Sequence, residues 1–532
     1  MSDPVADPLA DPSADSCADP LAPCPESASS GATLGATALV GGDQGAVPAL
    51  ALENSFTRLP GEFYTRLLPT PLADPYLVGA SAMAARLIGL DVETLAQPQV
   101  LAVFAGNAPL PGGEPHAAVY SGHQFGVWAG QLGDGRAITL GEARHEADRW
   151  EIQLKGAGLT PYSRMGDGRA VLRSSIREFL CSEAMAALGV PTTRALCVIG
   201  SPAPVVRETV ETAAVVTRLA PSFVRFGSFE HWYHRDRPEA LALLADHVIA
   251  GHYPEIDRGP GRYRALLEAV VLRTARLVAH WQALGFCHGV MNTDNMSILG
   301  LTLDYGPFGF MEAFDAGHIC NHSDDAGRYA YARQPQVAHW NLYALGQALV
   351  PLIGSVEETR AALEPFEGAF EAAMAEHLGR KLGLAAPTGP GDAPLVDGLF
   401  ALLQQNHADF TLFFRRLCDL KQADPKADGP LRDLFLEPAA FDAWAALYRA
   451  RLAQDGGEDA GRQARMRAVN PRYVLRNYLA EVAIQHARNQ DFSELAKLQK
   501  VLERPYDEQP ENAAYAAPAP EWAAGLEVSC SS

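Results

Sequence analysis

In the first half of the chain, apolar residues occur in short runs, and glycine-rich turns separate these runs. Four runs rich in β-branched or aromatic residues, at 137–140, 150–154, 195–199 and 213–218, are typical of strands. Between the second and third runs, one face at helical spacing is apolar and ends before a glycine and a proline: Ile176, Phe179, Leu180, Met185 and Leu188. We therefore predict a small N-lobe of four strands and a single helix within residues 51–255.

The second half of the chain has the wider apolar spacing of helices. An apolar stripe predicts a helix over 262–285. Four further helices are predicted, the last with Asn470 as cap and Pro471 in its first turn: 339–353, 355–382, 394–420 and 472–489. A β-rich lobe followed by a larger helical lobe predicts an α+β, protein-kinase-like two-lobed fold. Its C-lobe would span 256–390, with a helical C-terminal extension at 391–532.

Residues 1–50 have a different composition. They carry seven acidic and no basic residues, with recurring Ala-Asp-Pro units. Such a segment has too few aromatic and branched side chains to offset the entropy of ordering. We predict a disordered acidic tail.

Composition then excludes several classes of protein. With 532 residues, 48% of them hydrophobic, the chain can bury a large core. Its formal charge of −20 argues against nucleic-acid and anionic-membrane partners. No apolar window reaches the ~18 residues of a membrane-spanning helix. Eight scattered cysteines without zinc-type spacing fit a reducing compartment, and the absence of basic residues before Arg58 does not fit a targeting segment, so we predict a cytoplasmic protein.

Two segments of the N-lobe are candidates for binding nucleotide phosphates. The glycine-rich segment 130–136 lies between strand-like runs, where it is either a phosphate loop or a plain turn. The run at 150–155 ends in Lys155, and the helix that follows carries Glu178. In kinases a helix glutamate holds a strand lysine on the phosphates. Glu178 also fits a capping box with Ser175, and both interpretations stay open.

A third segment, His288 to Asn295, follows the long predicted helix and precedes Asp304-Tyr-Gly. Kinases place a proton-accepting aspartate and a metal-binding asparagine in such a loop, and a second metal ligand in Asp-Phe-Gly. Here the base position holds Val290, which cannot accept a proton, while the carboxylate stands at Asp294. Asn295 and Asp304 offer the oxygen ligands that Mg²⁺ prefers. Asp304 could instead belong to an ordinary turn, and Asp294 could cap the loop.

Arginines are the remaining candidates for phosphate contacts, because a planar guanidinium can donate two parallel hydrogen bonds to one phosphate group. Each could equally be a surface or salt-bridge residue. The candidates are Arg164, Arg169, Arg218 and Arg225.

Five motifs in order resemble the selenoprotein O family, also known as the YdiU family. They are Tyr120-Ser-Gly-His-Gln-Phe-Gly126, Gly130–Arg136, Gln153-Leu-Lys-Gly-Ala-Gly158, 161–177 and 288–299. The resemblance covers about residues 55–532. It implies a pseudokinase-like protein adenylyltransferase that binds ATP in a reversed pose. AMP would pass to Ser, Thr or Tyr hydroxyls of proteins and diphosphate would be released.

The resemblance also implies roles for individual residues. Asp294 would be the catalytic proton acceptor, and Asn295 and Asp304 would bind Mg²⁺, with Mn²⁺ as the alternative. The implied nucleotide contacts are Gly133, Gly135, Arg136, Lys155, Asp167, Gly168, Arg218, Arg225 and Asp304. Every one of these positions holds the residue type that the family has.

A cysteine at the third position from the end, Cys530, stands where selenium-containing members have selenocysteine. We predict a redox disulfide between Cys530 and Cys320; a free tail thiol is the simpler alternative. Two other functions stay open as well. The chain could be a kinase that uses the γ-phosphate, which Val290 disfavours, or an inactive nucleotide-binding redox scaffold, which intact Lys155, Asn295 and Asp304 disfavour.

Overall fold

A computed structural model describes residue 47 and residues 49–528 of the chain. The predicted tail at 1–50 therefore lies almost entirely outside the described residues, and so does Cys530. The predicted Cys320–Cys530 disulfide stays a prediction for the same reason.

Strands are concentrated before residue 221. In the described part of the chain they are β1 (Ala51–Leu52), β2 (Tyr64–Arg66), β3 (Tyr76–Ala80), β4 (His116–Ala118), β5 (Gly122–Gln124), β6 (Val127–Ala129), β7 (Ala137–His145), β8 (Asp148–Lys155), β9 (Ala170–Val171), β10 (Arg194–Val206), β11 (Val210–Ala220), β12 (Phe286–Cys287) and β13 (Gly309–Phe310).

Nine of these strands form one antiparallel sheet. Its order is β2-β4-β7-β8-β11-β10-β3, with β1 paired to β7 and β9 paired to β11. The four predicted strands are found as β7, β8, β10 and β11, but the prediction of only four was wrong. The missed strands have two to five residues, too few for an alternating pattern to stand out.

Helices account for most of the rest. In the described part they are α1 (Ala82–Leu87), α2 (Pro98–Phe104), α3 (Leu172–Ala187), α4 (Phe226–Tyr233), α5 (Pro238–His252), α6 (Arg262–Leu284), α7 (Gln334–Ile353), α8 (Val356–Leu363), α9 (Pro365–Lys381), α10 (Ala393–Asn406), α11 (Phe410–Leu417), α12 (Gly429–Arg432), α13 (Pro438–Asp455), α14 (Asp459–Arg467), α15 (Asn477–Arg488) and α16 (Ser493–Leu502).

Helix boundaries correct several predictions. The single helix predicted before residue 255 is α3, but α1, α2, α4 and α5 also lie there. Residues 355–382 form α8 and α9, separated where Pro365 begins a new first turn. Residues 394–420 form α10 and α11, because His407 takes a left-handed conformation (φ 48°) and the Asp409 side chain caps the second helix.

The last predicted helix begins later than its cap signal indicated. Asn470 is not an N-cap, since its side-chain amide donates to the Lys381 carbonyl oxygen at 2.9 Å. Residues 471–476 run outside any helix, and α15 starts at Asn477. An asparagine before a proline is a frequent helix start, but here tertiary contacts use the asparagine elsewhere.

The sheet and α3 set the position of the candidate site. Arg218 on β11 pairs with Gln153 on β8. Lys155 lies two residues further on β8, so Lys155 and Arg218 share one face of the sheet. Helix α3 packs on β10 and β11, and its Glu178 is buried. The sheet and α3 therefore direct the side chains of Lys155, Arg218 and Glu178 toward one another.

The segment that follows helix α6 reaches the region of the candidate site. The apolar stripe of this helix is fully buried, and Gly285 ends the helix in the left-handed conformation (φ 69°). Cβ of any other residue there would lie 2.8 Å from the Phe410 ring. The predicted helix over 262–285 is thus confirmed to within one residue.

No helix among the described residues is long and apolar enough to cross a membrane.

Lys381, the last residue of α9, is buried against aromatic rings. Its Nζ lies 4.0 Å from the centre of the Phe414 ring and 5.5 Å from that of Phe410. In the part of the chain that the structure describes, no carboxylate pairs with it. Burial lowers the pKa of Lys381 from 10.5 to about 7.

We expect Lys381→Met to raise the free energy of unfolding at pH 7 by on the order of 2–4 kcal/mol, because it removes a buried cation and replaces it with an uncharged side chain of similar length. Since the unfolded lysine binds its proton more tightly, wild-type stability should rise between pH 7 and 9, and the gap to the variant should shrink. Chemical denaturation at both pH values measures this effect. The exposed Lys500→Met should change neither value, and a pH-independent gap would contradict the buried charge.

Candidate active site

A cavity of about 540 Å³ lies where the end of β8 meets the segment 290–307. It has room for a nucleotide-sized ligand. The sequence assigned residues to nucleotide binding, to metal binding and to proton transfer, and all of them line this cavity: Gly133, Gly135, Arg136, Lys155, Asp167, Gly168, Arg218, Arg225, Asp294, Asn295 and Asp304.

Positive charge dominates this cavity, although the chain as a whole is strongly negative. Seven cationic side chains of the described residues line it: Arg136, Lys155, Arg164, Arg169, Arg207, Arg218 and Arg225. Four carboxylates oppose them: Asp134, Asp167, Asp294 and Asp304. The excess of cations favours a ligand with several negative charges.

Lys155 is held between two carboxylates at the inner end of the cavity. Its Nζ lies 2.7 Å from Glu178 Oε2 and 2.7 Å from Asp304 Oδ1. The capping-box alternative for Glu178 was wrong, because α3 already begins at Leu172 and places Glu178 in its second turn. The strand lysine and the helix glutamate therefore form the pair that the kinase-like interpretation predicts.

Two buried arginines complete the charge cluster. Arg218 Nη1 lies 3.1 Å from Glu178 Oε1 and 2.5 Å from Asp304 Oδ1. Arg225 Nη1 lies 3.3 Å from Asp304 Oδ2 and donates to the backbone oxygen of Asp294 at 2.6 Å. Burial opposes ionisation of Asp304, but the three cations outweigh it and hold its pKa well below the usual value.

The Asp294 side chain lies beside this cluster in a short 3₁₀ turn, Thr293–Asn295. Gln124 Nε2 donates to its Oδ2 at 3.2 Å, while no hydrogen-bond partner for its buried Oδ1 is found within residues 49–528. Burial raises the pKa of Asp294 to about 6, against the attraction of Arg225. The side-chain nitrogen of Asn295 donates to the Val290 carbonyl at 3.0 Å, which presents the amide oxygen as the atom available to a cation.

Two glycines lining the cavity have conformations that other residues rarely adopt. Gly133 has φ 132°, and a Cβ there would lie 2.5 Å from the Tyr162 ring. Gly168 has φ 71°, and a Cβ would lie 2.2 Å from the backbone of Gly158. The backbone therefore packs tightly around one wall of the cavity, as a close approach to phosphate requires.

Asp167 is engaged by a residue that the sequence did not identify. Arg207, in the turn between β10 and β11, makes a two-point ion pair with it at 2.8 and 3.0 Å. This arginine belongs to no motif, so only the tertiary structure places it at the cavity. Gln124 was also missed, although it lies within the motif Tyr120–Gly126 and could have been found there.

Cys320 is buried behind the same region. Its Sγ lies 2.8 Å from the Pro307 carbonyl oxygen, and burial raises its pKa well above the usual value. Two residues on, the His322 backbone donates to the Val528 carbonyl at 2.9 Å. The described end of the chain thus packs against the segment that carries Cys320.

Comparison with known proteins identifies the family to which these features belong. The family model described as "Protein adenylyltransferase SelO" matches residues 47–503. Protein nucleotidyltransferase YdiU of Herminiimonas arsenicoxydans is 62% identical over 487 residues, which are 91% of this chain and 97% of that protein. The proteins of the same name from Dechloromonas aromatica (strain RCB) and Cupriavidus pinatubonensis (strain JMP 134 / LMG 1197) are similar. They are 60% and 59% identical over 486 and 490 residues, covering 90% of this chain and 97% and 94% of each relative.

Proposed function

Because the chain belongs to the protein adenylyltransferase SelO family, we propose that it transfers AMP from ATP to the hydroxyl groups of Ser, Thr or Tyr in other proteins. The observation that carries the proposal is the cluster of Lys155, Arg218 and Arg225 around Asp304, directly beside Asp294. It combines cations for a polyphosphate, oxygen ligands for a metal and a carboxylate for proton transfer.

Asp304 acts as the counter-ion of the three cations when no nucleotide is bound. A triphosphate brings several negative oxygens to the same place and can take over Lys155, Arg218 and Arg225. The carboxylate of Asp304 is then released from its ion pairs. In this partner exchange, the three cations pass from Asp304 to the phosphates, and the Asp304 carboxylate becomes free to bind a metal ion.

The residues fit a hard divalent cation. Asn295 and Asp304 would hold it through side-chain oxygens. Asp294, whose buried Oδ1 has no hydrogen-bond partner among the described residues, directly precedes Asn295 in sequence. Oxygen-only ligands favour Mg²⁺, with Mn²⁺ as the alternative. When bound, the metal would neutralise charge on the phosphates.

Asp294 is our proposed proton acceptor, since Val290 occupies the position of the kinase base and has no group that binds a proton. The acceptor oxygen would bond to the α-phosphorus while the bond from that phosphorus to the bridging oxygen of the β-phosphate breaks. Diphosphate leaves, and the hydroxyl proton goes to Asp294.

A reversed nucleotide explains the two buried arginines. With the β- and γ-phosphates held by Arg218 and Arg225, the α-phosphate lies toward the acceptor. Arg225 supports this arrangement because it contacts both the Asp304 carboxylate and the backbone oxygen of Asp294. Gly133, Gly135, Arg136, Asp167 and Gly168 would bind the remainder of the nucleotide.

We further propose that the α+β architecture is a kinase-like pair of lobes. The large sheet with α3 would be the N-lobe (51–255), and α6 with the segment after it the C-lobe (256–390). The extension (391–532) divides between two hydrophobic clusters. Its residues up to Met466 pack with Met311, Phe314, Tyr331, Leu382 and Leu384, whereas residues 473–515 join the main core. The first cluster supports a distinct C-terminal unit that ends near residue 466.

A reducing compartment such as the cytoplasm is the location that we propose. The five cysteines among the described residues are all free and buried, as expected of a protein that makes no structural disulfides there.

The function is tested by labelling ATP at two positions. The full-length protein is incubated with Mg²⁺, a bulk protein acceptor and ATP labelled on either the α- or the γ-phosphate. We expect label on protein from the α-position only, with a mass gain of one AMP unit in intact-mass spectra.

Other outcomes identify the rival functions. Transfer of the γ-label alone would replace the proposal with a kinase. No transfer of either label, with ATP still bound, would indicate a nucleotide-binding scaffold.

A further inference from the structure

Two histidines and a glutamate converge beside the Asp294 turn but do not line the nucleotide cavity. His123 lies on β5, Glu230 lies on α4, and His234 immediately follows the last residue of α4. One ligand atom from each lies within 4.8 Å of the other two. Glu230 and His234 are four residues apart on one helical face, so the helix itself aims both side chains at β5.

We propose that His123, Glu230 and His234 bind a divalent transition-metal ion, with Zn²⁺ as the representative. Zn²⁺ binds imidazole nitrogen and carboxylate oxygen at roughly 2.0–2.2 Å, so two of its ligand atoms can lie up to about 4 Å apart. His123 Nδ1 and Glu230 Oε2 share a hydrogen bond at 2.5 Å, so the metal would replace the shared proton and move these two atoms to roughly 3.4 Å apart. Small side-chain movements would bring the third ligand into range.

Glu230 provides a second, independent observation. The residue is 1% exposed, and its buried Oε1 has no hydrogen-bond partner in the part of the chain that the structure describes. A buried carboxylate oxygen without a partner is costly unless a cation or a donor satisfies it. The imidazole of His123 satisfies only Oε2, so a metal ion at this place would compensate the remaining charge.

The ligand types distinguish this ion from the one proposed for the nucleotide. Two imidazoles and one carboxylate suit Zn²⁺ and its neighbours, whereas Mg²⁺ and Ca²⁺ prefer oxygen ligands. His234 is exposed, which leaves one side of the site open for water as a further ligand. The Trp128 ring lies against His234 at a tilt of 38°, with ring centres 3.8 Å apart, and restricts the orientation of that imidazole.

The site lies where it would brace the proposed catalytic turn. The backbone N–H of His123 donates to Thr293 Oγ1 at 2.7 Å, and the next residue, Gln124, donates to Asp294 at 3.2 Å. A metal that ties β5 to α4 would therefore hold the strand that contacts Asp294. This positioning role rests on the proposed function, but metal binding itself does not.

Metal content of the full-length protein tests the site without any nucleotide. Wild type and His234→Phe are stripped with a chelator, dialysed against Zn²⁺ and analysed for bound zinc. Phenylalanine keeps a ring against Trp128 but removes the ligand nitrogen. We expect the variant to bind one equivalent less, and Zn²⁺ to raise the melting temperature of wild type more than that of the variant.

The control is His486→Phe. His486 is also an exposed histidine paired with a carboxylate, Asp491, at 3.0 Å, but the described residues supply no third ligand there. This variant should bind as much zinc as wild type. Zinc held elsewhere, including by cysteines outside the described residues, contributes equally to all three proteins. Equal zinc content in wild type and His234→Phe would overturn the proposal, whatever the result of the AMP-transfer assay.

Discussion

Asp304→Asn is expected to reduce AMP transfer by more than about a thousandfold, because it removes both a proposed metal ligand and the charge that organises the cation cluster. The ligand-free protein should also lose about 3 kcal/mol of stability, since Lys155 and Arg218 would share Glu178 as their counter-ion and Arg225 would lose its ion pair with Asp304. Labelled-ATP assays and chemical denaturation measure the two effects.

The proposed partner exchange, in which the phosphates take the three cations from Asp304, leads to a second prediction for this variant. Without the competing carboxylate, metal-free ATP should bind Asp304→Asn at least as tightly as it binds wild type. Calorimetry in the presence of a chelator measures this affinity. Asp315→Asn, eleven residues further along the same segment, should leave transfer and ATP affinity unchanged. Weaker metal-free binding to Asp304→Asn would contradict the partner exchange.

Asp294→Asn should lower kcat by roughly 10²–10³-fold while the KM for ATP stays nearly constant. The amide keeps the size of the side chain and can still accept a hydrogen bond, but it cannot take the proton of the acceptor hydroxyl. Steady-state kinetics of AMP transfer at saturating protein acceptor separates the two parameters.

Asp325→Asn serves as the matched control for this prediction, because Asp325 is an exposed aspartate of the neighbouring loop. Its kinetics should equal those of wild type. A rise in the KM of Asp294→Asn for ATP with kcat retained would assign Asp294 to nucleotide binding and would remove it as the proton acceptor.

The local chemistry of the site was readable from the sequence. Lys155, Asp294 and Asp304 lie in motifs whose residue types already indicate phosphate, proton and metal, and all of them reach one cavity. The pairing of Lys155 with Glu178 was one of two open alternatives. Only the start of α3 at Leu172 decided between them, because a capping box requires its serine at the N-cap.

Long elements with a clear period were also determined by the sequence. Helix α6 lies where it was predicted, and the four predicted runs fall within strands β7, β8, β10 and β11, which extend beyond them. Each of these elements offers enough residues for an apolar pattern to appear. The two- and three-residue strands were not predicted. They form because neighbouring strands supply hydrogen-bond partners, and that information is not local.

The tertiary structure alone decided what comes together from distant parts of the chain. Arg207 reaches Asp167 from a turn without a motif, and His123 meets Glu230 across 107 positions. Sequence patterns report on residues a few positions apart, since they reflect the repeat of a helix or a strand. Which side chains meet across the core depends on sheet register and packing, and those are set by the whole chain at once.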